Sequence, residues 1–129
     1  MSRRKSREVV MKLLYQLQFN EDDIELQIQS MIEENEVTGK EETYVKDIVN
    51  GVMQNVEDID TKIENNLTGW KMSRVSKVNL AIIRLSIYEI LYRDDIPNTV
   101  SINEAVELTK KFSGEDSKVF VNGLLAKLV

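Results

Sequence analysis

The chain has 129 residues, 42% hydrophobic and 30% charged, with one Pro, no Cys, no His and a formal net charge of −5. That length fits a single domain with one sizeable core or two small ones packed together, and the missing residue types exclude disulfides, thiolate nucleophiles, imidazole bases and Cys- or His-based metal sites. The charge is segregated: residues 1–20 set five cations against Glu8 alone, residues 21–64 carry fourteen acids and three lysines, and residues 65–129 carry nine bases and seven acids. An acidic middle repels phosphate, so any polyanion must bind locally at the basic end and with a partner's help. No apolar run approaches the roughly 18 residues of a membrane span. The basic start lacks the apolar core of a signal peptide, which predicts a soluble, cytoplasmic protein.

Apolar residues recur at a spacing near 3.6 throughout. Val9, Val10, Leu13, Leu14 and Leu17 share one face of a first helix. Asn20-Glu21-Asp22-Asp23 ends it and supplies an N-cap for a second, marked by Ile24, Ile28, Met31 and Ile32. Thr38 and Glu41 have capping-box spacing ahead of a third helix with the stripe Tyr44, Val45, Ile48, Val49, Val52, Met53, Val56. Ile59, Ile63 and Leu67 carry a fourth, after a kink near Val56–Asp58, and Thr68-Gly69 stops it.

Ser73 is the expected cap of a long helix to about Arg93, apolar on most sides and therefore central. Asp94-Asp95-Ile96-Pro97 breaks the chain. Ser101 and Glu104 form a second capping-box candidate, ahead of Ile102, Ala105, Val106, Leu108 and Phe112. Gly114 suits the end of that helix. Asp116 or its neighbour caps a last one with the stripe Phe120, Val121, Leu124, Leu125, Leu128. Asn122-Gly123 is a hairpin signal, but its flanks lack strand alternation, so Gly123 reads as a close-packing position in a helix. The expectation is an all-α fold of about seven helices.

Several residues bear on function. Arg3, Arg4, Lys5 and Arg7 cluster at a helix start, where free backbone N–H groups favour an anion and the cations oppose the dipole; a solvated terminus is the plain alternative. Phe120 with Lys118 could stack on an unpaired base or simply pack in the core. Tyr15 lies off the main apolar stripe of the first helix. Trp70 reads as a plug between helices. Arg84 and Asn103, in apolar contexts, suit buried carbonyls or a carboxylate such as Glu104 or Glu89. The adjacent acids Glu33-Glu34 and Glu41-Glu42 do not share a helix face, and no phosphate loop, metal-ligand spacing or nucleophile motif accompanies them. No enzyme, metal or cofactor is expected.

Three stretches carry a resemblance: Ile83-Arg84-Leu85-Ser86-Ile87-Tyr88-Glu89 followed by Ile96-Pro97; Ile102-Asn103-Glu104-Ala105-Val106-Glu107-Leu108-Thr109-Lys110-Lys111-Phe112; and Phe120-Val121-Asn122-Gly123-Leu124-Leu125. With Arg3-Arg4-Lys5-Ser6-Arg7-Glu8 and Leu14-Tyr15, the chain resembles the NusB family of transcription antitermination factors. The resemblance implies two packed helical subdomains, residues 1–56 with three helices and 57–129 with four. It implies binding of box A RNA in nascent ribosomal RNA transcripts together with the ribosomal protein NusE, in a complex with other Nus factors and RNA polymerase. It assigns RNA contact to Arg3, Arg4, Lys5 and Arg7, to Phe120 beside Lys118, to Asp116 and to Tyr15. Asn79 and Arg84 are the expected partner-binding positions, Asn79 standing with Leu80 where relatives often carry a charged residue. Some relatives form homodimers through the RNA-binding face and others are monomers. The competing reading is a helical protein-interaction module that does not bind RNA.

Overall fold

Residues 1–69 and 71–129 are described by a computed structural model, and among them each apolar stripe folds as a helix. The described residues form seven α-helices and no strand: α1 (Arg3–Leu17), α2 (Ile24–Glu34), α3 (Gly39–Gln54), α4 (Val56–Asn66), α5 (Lys77–Tyr92), α6 (Asn98–Phe112) and α7 (Glu115–Ala126), with a 3-10 turn at Met72–Arg74. The all-α expectation holds. Trp70, the expected plug between helices, lies outside the described residues. No helix among these residues is long and apolar enough to cross a membrane.

α5 organises the packing. Ala81, Ile82, Ile83, Leu85 and Ile87 are buried around its whole circumference, and α1, α3, α4, α6 and α7 all pack against it. An apolar surface on every side demands neighbours on every side. The break between α3 and α4 falls at Asn55, whose amide group donates to the Gly51 carbonyl at 2.8 Å and ends the helix. Asp23 caps α2 as its sequence suggests, accepting from the Leu26 N–H at 3.1 Å.

Other boundaries differ from expectation. Ser76, not Ser73, caps α5, accepting from the Asn79 N–H at 3.1 Å; Val75 stays extended and buries its side chain. Neither capping box closes. Thr38 makes no side-chain cap bond, and the Glu41 carboxylate accepts from Arg3 at 2.9 Å. α6 starts directly after Pro97, whose fixed φ launches it a turn early, so Ser101 and Glu104 lie inside the helix. Gly114 ends α6 and sits at the N-cap of α7 with φ 146°, leaving Asp116 in the first turn.

Gly123 is helical but not a close-packing position: nothing lies within 4 Å of where a Cβ would stand. The close approach occurs at Gly51, where a Cβ would run into the Tyr88 ring. Only the missing side chain lets α3 settle onto α5. Gly51→Ala is expected to lower stability by about 1–3 kcal/mol through overpacking. Gly123→Ala, in an exposed helix interior, should raise it by up to ~1 kcal/mol. Urea denaturation of the two variants checks both signs.

Candidate nucleic-acid interface

The first turn of α1 holds cations and no acid, an arrangement its dipole disfavours. The fold answers by bringing carboxylates to it from other helices. Arg7 donates from Nε to Glu89 Oε2 at 2.9 Å and from Nη2 to Oε1 at 3.2 Å, with its side chain only 6% exposed. Glu89 also accepts from the Ser101 hydroxyl at 2.7 Å and from the Tyr44 hydroxyl. One carboxylate of α5 is thus shared by α1, α3 and α6. Burial, with the neighbouring Glu89 charge, pushes the Tyr44 hydroxyl far above its ordinary value, so it remains a donor. Arg3 forks onto Glu41 and lies 4.0 Å over the Tyr44 ring.

The fold divides the arginine cluster. Arg7 is buried and paired with Glu89. Arg3 is turned toward α3. The reason is helical spacing: residues 3 and 7 share the inward face, while Arg4 and Lys5 point out. The Arg4 side chain is 65% exposed and forks onto Glu104 at 3.0 and 2.7 Å.

Arg4, Glu8, Lys12 and Tyr15 form one stripe of α1 at intervals of four, four and three, Glu8 being buried within it, and Phe19 follows in the turn after the helix. Tyr15 and Phe19 are both exposed and meet edge to face at 5.2 Å. Lys12 and Lys111 stand 5.6 and 5.3 Å from the centre of the Phe112 ring. Beneath them is a largely apolar hollow of about 440 Å³, lined by Met11, Lys12, Tyr15, Gln16, Met31, Val78 and Phe112.

At the far end of the stripe, Lys118 and Asn122 of α7 share a second hollow with Arg4. Asp116 is exposed in the first turn of α7. Phe120 is half-buried against the core and lines a different, smaller hollow with Leu67, Thr68 and Lys127. Two residues along a helix turn the side chain by roughly 200°, so the fold does not unite Phe120 with Lys118 and Arg4 in one cradle.

The two expected partner positions are less open than surface residues. Asn79 is 7% exposed, under the first turn of α5. Arg84 forks onto Asp60 at 2.9 and 2.8 Å and ties α5 to α4. Glu89 and Glu104, the carboxylates expected for Arg84, belong to Arg7 and Arg4 instead. Sequence reading did not single out Lys12, Lys111 and Phe112 as candidates, although the fold brings them together. The signal was present in the spacing of the α1 stripe and in the Lys110-Lys111-Phe112 run, but Phe112 also fits an apolar core stripe.

The NusB family model matches residues 4–129. The transcription antitermination protein NusB of Acetivibrio thermocellus is 54% identical over 129 residues, covering all of this chain and 89% of that protein. Among solved structures, T. maritima NusB is 34% identical with a TM-score of 0.91, covering 99% of this chain and 90% of that one. A crystal structure of the antitermination factors NusB and NusE in complex with double-stranded RNA shares the fold, with 24% identity, a TM-score of 0.88, and 98% and 94% of the two chains covered.

Removing one partner of a buried ion pair strands the other, so Arg7→Ala should cost about 3–5 kcal/mol in urea denaturation. Hydrogen bonds from Arg3 and Arg4 hold Glu41 and Glu104 below the ordinary glutamate value of 4.5. A carboxylate whose folded pKa is depressed stabilises the fold above its unfolded pKa, and that contribution disappears as pH falls through the folded value. The urea midpoint should therefore fall as pH drops below about 4.5. Glu41→Gln should fall less steeply over the same range.

Proposed function

The chain belongs to the NusB family, and from that premise we propose that it acts in transcription antitermination by binding box A RNA of nascent ribosomal RNA transcripts together with NusE. In this reading it is a cytoplasmic binding factor and not an enzyme. With the other Nus factors it lets RNA polymerase read through terminators. The observation that carries the proposal is the aromatic and cationic stripe of α1, α6 and α7 on an otherwise acidic body.

That stripe has the two components single-stranded RNA requires. Arg4, Lys5, Lys111 and Lys118 supply positive charge for phosphates. Tyr15 and Phe112 offer faces for bases, each stacked base being worth about 1–3 kcal/mol. Lys12 sits between the two kinds of contact, near the Phe112 ring. The acidic residues 21–64 confine the RNA to this face. A patch this small gives modest affinity alone, which is why a second RNA-binding protein is part of the proposal.

Replacing Arg4 and Lys12 together with Ala should weaken binding of box A RNA and flatten the logarithmic salt dependence by about 1.4, at ~0.7 per lost phosphate contact on a single strand. Tyr15→Ala should weaken binding with the salt slope unchanged, because stacking releases no counterions. A fluorescence titration over several salt concentrations, with and without NusE, checks both. Absence of RNA binding under either condition would instead favour a helical module that binds protein only.

A further inference from the structure

The hollow that Arg4 shares with Lys118 and Asn122 measures about 620 Å³ and runs between α6 and α7. Its cations are matched within the chain: Arg4 with Glu104 at 2.7 Å, Lys110 with Glu107 at 3.3 Å, and Lys118 with Glu115. Val106 and the largely exposed Val119 give it an apolar patch. Asn103 of α6 and Asn122 of α7 also line it. Both are exposed, and neither side-chain amide makes a hydrogen bond among the described residues. The polar groups left over are therefore two neutral amides beside an apolar patch. That combination fits a nucleobase, which has an apolar face and a hydrogen-bonding edge.

Resting on the RNA-binding reading above, we propose that Asn103 and Asn122 are specificity-determining residues that take the edge of an unpaired adenine in the α6–α7 hollow. The hollow is continuous with the aromatic face. Arg4, Glu104, Glu107 and Lys110 border it and also border a neighbouring hollow that holds Lys111. Lys111 in turn stands 5.3 Å from the centre of the Phe112 ring. A strand stacked on Tyr15 and Phe112 can pass Lys111 and Arg4 and lay a further base between α6 and α7.

The choice of base follows from the chemistry of the amide. A carboxamide presents an acceptor beside a donor. Adenine offers the complementary pair on both of its free edges, N6–H beside N7 and N6–H beside N1, so it is matched in either orientation. Guanine shows two acceptors on its N7 edge, and a pyrimidine has a single hydrogen-bonding edge. Stacking on Tyr15 and Phe112 accepts any base, and phosphate contacts accept any strand. The two asparagines are thus the part of the face able to tell one base from another. Being neutral, they release no counterions, so their contribution does not change with salt.

The test compares the wild-type chain with one carrying Asn103→Ala and Asn122→Ala together. Both positions are exposed and helical, and Ala is the better helix former, so the variant keeps its fold. Asn65→Ala, at an exposed position of α4, is the control. Affinity is measured, with and without NusE, for single-stranded box A RNA and for the same strand with purine riboside, which is adenosine without its 6-amino group, at one adenine after another. In the wild type and the control, one such replacement should weaken binding by about tenfold. In the double variant the same replacement should cost roughly twofold or less, and its salt slope should equal that of the wild type. Equal losses in wild type and double variant at every adenine would overturn the proposal while leaving RNA binding standing. So would a double variant that binds NusE more weakly but discriminates the RNAs unchanged, since the hollow would then hold protein. If the wild type binds no strand with or without NusE, the RNA-binding reading itself falls.

Discussion

Glu89 is a carboxylate with 1% of its surface exposed, and a buried charge without partners is not tolerated. It is satisfied by Arg7 of α1, Tyr44 of α3 and Ser101 of α6, so those three helices must meet at one point on α5. Such a network contributes less to net stability than its bond count suggests, because desolvation offsets the attraction. Its effect here is geometric. It sets the rotation of α1 about its own axis, and that rotation decides which residues the helix offers to solvent.

With Arg7 drawn inward and Arg3 laid across Tyr44, the opposite stripe of α1 is turned out. Arg4, Lys12 and Tyr15 become accessible because Arg7 is not. The basic start of the chain is therefore two features interleaved at helical spacing: an inner pair that docks the helix and an outer set that is open to a ligand. The inner pair is Arg3 and Arg7 and the outer set mixes Arg and Lys; both answer the same unfavourable dipole, but they do so with different partners.

Helix content was legible because an amphipathic stripe is a local property. Asp23 as a cap follows from its immediate neighbours, whereas the kink expected near Val56–Asp58 falls at Asn55. The capping boxes at Thr38 and Ser101 were misread for different reasons: Glu41 pairs with the distant Arg3, and Pro97 starts α6 a turn early, which puts Ser101 and Glu104 inside the helix. Gly51 and Gly123 show the same limit. Nothing near Gly51 in the chain announces the Tyr88 ring that requires it, whereas the Asn-Gly pair at 122–123 looks significant and sits in open space.

The order of helices, the segregation of charge, the central place of α5 and the family resemblance were determined by the chain alone, since each depends on residue type and short-range spacing. Which cations reach solvent, which carboxylate each one meets, and the parting of Phe120 from Lys118 onto different sides of α7 were decided only by tertiary packing. The physical reason is that ion pairs and ring contacts act over a few ångströms in space between residues as many as 103 positions apart in the chain, as Glu8 and Lys111 are, and sequence spacing carries no record of that proximity.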